Sequence, residues 1–287
     1  MTHATRLAAL LAALVIGVVP LAAQQKVPLV LHHLAITIDS ATWSDIAASP
    51  LMRKQFAGGV GDYTLDAPST PAGQAFVGKY NYLQIGRPIP GAPHPGMVRI
   101  VFSSETLGGL EALAARGPFT RTVVDGSQFR WGDITAGFQD LRLATSDSAS
   151  LSVNEWTAAA ARGMTSRDSL PPGDITNRRF FARWFDSTKY MARVTSATLA
   201  IPVGDIARIA HVLKGDGVSV VAEGEGAIIT LDGFTLHLIP PYRGAGVKQL
   251  QFALTHAAPA NPTYRFGPKS QLRFGPGLIA VWDFESK

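Results

Sequence analysis

The chain has 287 residues, 46% of them hydrophobic and 16% charged, with 28 Gly, 19 Pro, no Cys and a formal net charge of +5. That apolar content excludes global disorder, and the missing cysteines exclude a disulfide scaffold and thiol catalysis. The basic residues are scattered; Arg178, Arg179 and Arg183 form the one notable cluster. A nucleic-acid footprint needs a concentrated basic stripe, so no nucleic-acid partner is expected.

Residues 1–23 read as a secretory signal peptide: Arg6 is a short basic start, Leu7 to Val19 is an uncharged apolar run, and Leu21-Ala22-Ala23 ends in small residues. The alternative is an uncleaved anchor, but the run is short against the ~20 residues a span needs. Pro20 also stands where a cleavage region breaks the helix. The expected location is secreted or periplasmic, with no membrane association after cleavage.

The mature chain alternates strand and helix signals. Leu29 to Asp39 reads as a strand. Ser40 reads as an N-cap of a helix over Ala41 to Phe56, bent near Pro50. Strands are predicted at Tyr63–Leu65, Tyr80–Ile85 and Met97–Phe102, a helix at Ser104–Ala115, and strands at Phe119–Val124 and near Gln128–Phe138. Helices are expected at Val153–Arg162 and Arg179–Met191, within a linker. A strand at Val194–Ile201, a helix at Val203–Leu213 and strands at Val218–Glu223, Ala227–Leu231 and Phe234–Ile239 follow. Lys248–Thr255, Gln271–Phe274 and Leu278–Phe284 complete the strands. The expected division is a signal peptide (1–23), a first pair of modules (24–145), a helical linker (146–193) and a second pair (194–287).

An internal repeat organises these elements. Leu34-Ala35-Ile36-Thr37-Ile38 recurs as Leu199-Ala200-Ile201-Pro202-Val203, each followed by a helix and then strands. Gln84-Ile85-Gly86-Arg87-Pro88 matches His237-Leu238-Ile239-Pro240-Pro241. Further copies start at Val98 and Leu250, so four βαβββ units in two pairs are expected. The doublet Arg265-Phe266-Gly267-Pro268 and Arg273-Phe274-Gly275-Pro276 reads as turn chemistry.

His33 to Asp39 and Tyr82 to Pro88, with the repeat around them, resemble the vicinal oxygen chelate superfamily of glyoxalase, bleomycin-resistance and extradiol-dioxygenase proteins. The resemblance implies an α+β fold of repeated βαβββ modules forming two glyoxalase-like half-barrel pairs, each enclosing a cavity. Strand alternation separately puts His33, Ala35 and Thr37 on one face, and Leu34, Ile36 and Ile38 on a face that can pack on the helix. Active relatives hold a metal by His or Gln on opening strands and Glu on closing strands. Carried over, His33 matches an opening-strand ligand, Gln84 replaces the closing Glu, Thr198 replaces the second opening His, and His237 falls at its closing Glu. Gln249 or Gln251 and Asp283 or Glu285 belong to the fourth unit. Neither half thus has a complete ligand set, and an amide is a weak substitute for a carboxylate.

His33, Thr37 and Gln84 are the candidate ligand-binding residues; His237 and Asp283 are the candidate metal pair. The bland reading of His33 is a hydrogen-bonded pocket residue, and that of His237 a satisfied core residue. Alternation places His32 opposite to His33, His94 falls in a Pro loop and His256 at a strand end. Trp131, Trp156, Trp184 and Phe180-Phe181 read as packing, although the linker aromatics could roof a cleft. No dinucleotide, GxSxG, HExxH or Walker segment is present. Three readings stand: an exported protein binding a small polar molecule in a half-barrel cavity; a divalent-metal-dependent lyase or dioxygenase-like enzyme using His33; and a non-catalytic structural or interaction module.

Overall fold

The computed structural model describes residues 28–58, 73–87, 95–124, 130–131, 134–135, 138–143, 145–146, 148–157, 177–182, 184–215, 217–260 and 262–284. The signal peptide, the strand expected at Tyr63–Leu65, His94 and Glu285 lie outside them. Two mixed sheets carry the fold, with a few short helices, so the protein is α+β.

The first module opens with β1 (Leu29–Thr37), continues through α1 (Ser40–Ala48) and α2 (Pro50–Lys54), and closes with β2 (Gly73–Val77) and β3 (Tyr82–Gly86). Asp39, not Ser40, caps α1: its carboxylate accepts from the Ala41 and Thr42 amides at 3.0 Å. Pro50 splits the expected long helix, because the residue before a proline is pushed out of the helical region; Ser49 sits at ψ 120°. The second module is β4 (Val98–Ser104), α3 (Gly109–Ala114), β5 (Phe119–Val124), the small pair β6 (Arg130–Trp131) and β7 (Ile134–Thr135), β8 (Phe138–Leu143) and β9 (Ala149–Trp156).

Strand β9 replaces the helix expected from Val153. Its alternating side chains fill two environments: Leu151 and Val153 enter the core, and it pairs with both β4 and β8. Glu155 of β9 accepts from the Gly108 and Leu110 amides, capping α3 from a distance. The first sheet, ordered β2-β3-β1-β4-β9-β8-β5, therefore extends into the stretch expected as linker. Among the described residues the linker carries α4 (Asn177–Ala182), shorter than the expected 179–191, since Met191 already belongs to the next strand.

The third module is β10 (Met191–Ala200), α5 (Val203–Leu213), β11 (Ser219–Glu223), β12 (Gly226–Leu231) and β13 (Phe234–Ile239). Its helix has the expected bounds, and buries Ile206, Ile209, Val212 and Leu213 at helical spacing. The fourth unit is β14 (Gly246–Leu254), β15 (Thr263–Phe266), β16 (Ser270–Phe274) and β17 (Ile279–Phe284). It departs from the repeat: no helix stands between β14 and β15. A crossover helix uses one reversal of the chain, so its loss changes the direction of the closing strand. Accordingly β1–β3, β4–β9 and β10–β13 are parallel, whereas β14–β17 is antiparallel. The Arg-Phe-Gly-Pro doublet ends β15 and β16, with Gly267 at φ 64° in the turn between them.

The repeat is real but displaced by two residues. Both opening strands give way to their helix through two residues, and both parallel ladders end on the last strand residue: Thr37↔Gly86 and Ala200↔Ile239. On that alignment Leu34 matches Ala197, and Ile36 matches Leu199. A shift of two preserves the face, because strand side chains alternate with period two. All four residues are accordingly buried in one core, which is shared by both sheets and the helices between them.

Asn81 ties the halves together. Its amide nitrogen donates to the Val194 carbonyl at 3.0 Å, and its oxygen accepts from the Val194 amide at 2.8 Å. Gly78 permits this approach, since a Cβ there would lie 2.4 Å from the Ala192 carbonyl. The two sheets thus turn their inward faces to the common core, leaving one further face on each.

Candidate functional site

The further face of the first sheet is read off its register. His33 lies between Tyr82 on β3 and Val101 on β4, and Val101 is followed by Ser152 on β9 and Arg142 on β8. Two residues along, Gln84, Ala35, Arg99 and Ser150 form the next row. In the other direction stand Ser103, Asn154 and Asp140. This face gathers polar groups from five strands.

His32 joins them, against expectation. The β1–β4 register slips between Leu31 and His33, so His32 is the extra residue of a β-bulge. The bulge turns its ring toward its neighbour, and the two Nδ1 atoms stand 2.8 Å apart. One ring must donate and the other accept, so at least one Nδ1 carries no proton. Burial pulls the His32 pKa down to about 3, assisted by the positive Arg99. Burial, His32 and Arg99 together hold His33 well below the usual histidine range. Both imidazoles are neutral at pH 7, and a base of such low pKa is a poor proton acceptor there.

Tyr82 stacks on His33 with ring centroids 4.4 Å apart and an interplanar angle of 18°. Burial pushes its hydroxyl pKa up, so the phenol stays protonated. Phe181 of α4 packs on His32 at 5.1 Å and on Tyr82 at 5.7 Å, while Phe180 meets Trp156 at 4.9 Å. Trp156 donates its indole N–H to Asn177 at 3.2 Å, and Glu105 accepts the Asn177 amide at 3.1 Å, which holds α4 in place. The linker aromatics Phe180 and Phe181 thus pack directly on Trp156, His32 and Tyr82, as the packing reading expects.

Arg99 and Asp140 supply the charges. Arg99 Nη2 is 3.4 Å from Asp140 Oδ2, and Arg142 Nη2 is 3.6 Å from the same oxygen. Burial lowers the Arg99 pKa, partly offset by Asp140.

Of the residues expected to bind ligand, His33 lies inside this cluster. Gln84 pairs with Ala35 rather than with His33, and its side chain is exposed. Thr37 sits at the strand end, opposite Gly86. The second half differs more. His237 pairs with Thr198, Thr198 with Gln249, and Gln249 with Asp283, so β10 and β14 separate the candidate metal pair. At ~4.8 Å per strand that is about 14 Å across the sheet. Asp283 is already engaged, by Gln249 at 2.8 Å and by Arg273. His237 is partly exposed on the further face, not a core residue. By alignment Thr198 corresponds to Ala35, and Ser196 to His33.

The described residues of neither face offer a set of side chains that fits a divalent metal. Among the described residues no three His, Asp or Glu side chains are placed to hold one. In the first half each histidine Nδ1 faces the other, and Arg99 adds a positive charge near enough for His33 to feel it. Sequence reasoning missed His32, Tyr82, Arg99, Asp140 and Ser152. Alternation in Val98–Ser104 offered a signal for Arg99; the bulge that recruits His32 left none.

Known proteins were compared with this chain. A model for a family of unknown function (DUF5829) matches residues 151–284, from within β9 to the end of β17. No curated protein matches. Among solved structures, a hypothetical protein from Staphylococcus aureus is similar at 9% identity and a TM-score of 0.45, covering 83% of this chain and 95% of that one. A Mn(II)-bound glyoxalase from Novosphingobium aromaticivorans is similar at 9% identity and a TM-score of 0.42, covering 87% and 79%. A xylose isomerase-like TIM barrel/4-hydroxyphenylpyruvate dioxygenase fusion protein gives 14% identity and a TM-score of 0.40, covering 76% of this chain and 35% of that one. The strand order, and the parallel opening and closing strands of the first three units, define the fold.

Proposed function

We propose that this is an exported protein that binds a small polar molecule against the further face of its first sheet. The observation that carries the reading is the cluster around Arg99, whose charge reaches His33 and Tyr82 on one side and Asp140 on the other, beside the aromatic residues of β9 and α4. Convergent polar groups with an apolar surround are the ordinary composition of a ligand site. The neutral histidines and protonated Tyr82 act as hydrogen-bonding groups, not as a base or a metal cradle. Export is supported by the layout of residues 1–23.

The test is a thermal-shift screen of wild type, His33→Ala and Tyr82→Phe against small metabolites and divalent metals. A metabolite that protects wild type and protects both variants less supports the reading. A metal-induced shift lost in His33→Ala supports the enzyme reading instead. Absence of any ligand-induced shift favours a structural module whose half-barrel is filled by its own aromatics. N-terminal sequencing of material recovered outside the cytoplasm tests cleavage near Ala23.

A further inference from the structure

Three polar atoms of the first face are buried without a hydrogen-bond partner: Arg99 Nε, Asp140 Oδ1 and Ser152 Oγ. They come from neighbouring strands. Arg99 is opposite Ser150 and Asp140 is opposite Asn154, so Ser152 lies midway between them on β9. The Arg99–Asp140 contact therefore passes over Ser152, which is fully buried.

That contact is a poor ion pair for a carboxylate as buried as Asp140, although the Arg99 side chain reaches partly to solvent. Charge-assisted bonds of this type close at ~2.7–2.9 Å and are often two-pronged. Here one oxygen is met at 3.4 Å, while a charged donor and a charged acceptor stay idle inside the protein. Idle buried polar groups are costly, and a folded protein rarely keeps three together without a use for them.

We propose, resting on the binding reading above, that the ligand is a free α-amino acid with an apolar side chain, its carboxylate held by Arg99 and its ammonium by Asp140. A carboxylate satisfies the idle Arg99 N–H, an ammonium satisfies the idle Asp140 oxygen, and the Ser152 hydroxyl serves either group. A plain carboxylic acid would meet Arg99 but also face the Asp140 charge. A plain amine has the reverse fault. The inner pair sums to zero charge, as a zwitterion does, because Arg142 is 55% exposed at the rim and screened by solvent. Tyr82 and His33 are close enough to Arg99 to feel its charge, and the Tyr82, Trp156 and Phe181 rings beyond them suit an apolar side chain.

The experiment is calorimetric titration of the wild-type protein at pH 7 with leucine and phenylalanine. The same carbon skeletons without the amine (4-methylpentanoate, 3-phenylpropionate) and without the carboxylate (3-methylbutylamine, phenethylamine) are titrated beside them. The amino acids are expected to bind at least tenfold more tightly than either partner series. Asp140→Asn, nearly isosteric, should erase the preference for the amino acid over the acid. If that variant fails to fold, the wild-type comparison alone decides. Acids binding as tightly as amino acids would overturn the amino-acid assignment and leave the first-face site standing. Amino-acid binding undiminished in a folded Arg99→Gln protein would overturn both. No amino-acid binding in wild type overturns the proposal, while the metabolite screen with His33→Ala still reports separately on the face.

Discussion

The further faces of the two sheets descend from the same repeat and ended in opposite states. In the first, His32 and His33 are 3% and 8% exposed, and Ser152 is fully buried beneath an ion pair. In the second, the matching row of Thr235, Ser196 and Gln251 is partly exposed. Tyr82 and His33 match Thr235 and Ser196, which are polar at the same positions, so polarity alone does not account for the difference. Cover does: β9 brings Trp156 and leads on to Phe180 and Phe181 of α4, whereas the helix-less fourth unit offers β14 and β17 with Gln249, Gln251 and Asp283. Burial then changes the chemistry of identical residue types. A histidine under cover loses its charge, and a carboxylate under cover needs its partner, while Asp283 outside pairs with an Arg273 that water already solvates.

The sharpest way to break this comparison is to remove the acid on each face. Asp140→Ala leaves Arg99 without its buried counter-ion. The cost for a fully buried pair is 3–5 kcal/mol, and the partial exposure of Arg99 and Arg142 reduces it to about 2 kcal/mol. Asp283→Ala, in an exposed pair, should cost less than ~1 kcal/mol. Urea unfolding of the two variants measures both, and equal losses would contradict the difference in burial.

The histidines give a pH signature of similar size. The folded pKa of His32 is about 3 against an unfolded 6.5, and that of His33 is lowered in the same direction. Between those values the unfolded chain binds more protons than the folded one, so stability is full above pH 6.5 and falls as pH drops toward 3. Each such histidine contributes a slope of up to about 1.4 kcal/mol per pH unit. His33→Asn should flatten the slope between pH 5 and 6.5.

Smaller effects sharpen the contrast. Ser152→Ala removes a buried hydroxyl that has no partner, and should raise the stability of the ligand-free protein by about 1 kcal/mol or leave it unchanged. Gln249→Ala, at an exposed hydrogen bond, should fall within about 0.5 kcal/mol of wild type. Smallest of all, chelator treatment and added divalent metal should leave the thermal midpoint unmoved. A metal-dependent midpoint that disappears in His237→Ala would show that the second face does assemble a site.

The order of elements was legible in the chain because it depends on local signals. Helix α5 has its bounds written in the spacing of Ile206, Ile209, Val212 and Leu213, and the core face of β1 in Leu34, Ile36 and Ile38. The repeat was legible too, though its register was not. A slip of two residues keeps every side chain on its face, so hydrophobic alternation cannot detect it, and only the ladders put Ala35 beside Gln84 and Thr198 beside His237. Strand β9 was hidden because Ala149–Trp156 is bounded by no turn signal a helix would lack; what makes it a strand is the vacancy between β4 and β8.

The sequence by itself thus determined the α+β class, the strand-helix-strand grammar and His33 as a face residue, since each follows from the periodicity of a single element. Tertiary structure alone decided the site. A bulge with no compositional mark brought His32 beside His33, and Arg99 of β4 met Ser152 and Asp140 of the later neighbours β9 and β8. Such convergence depends on which strands become neighbours, and pairing between distant segments is selected by the packing of the whole core rather than by any local pattern.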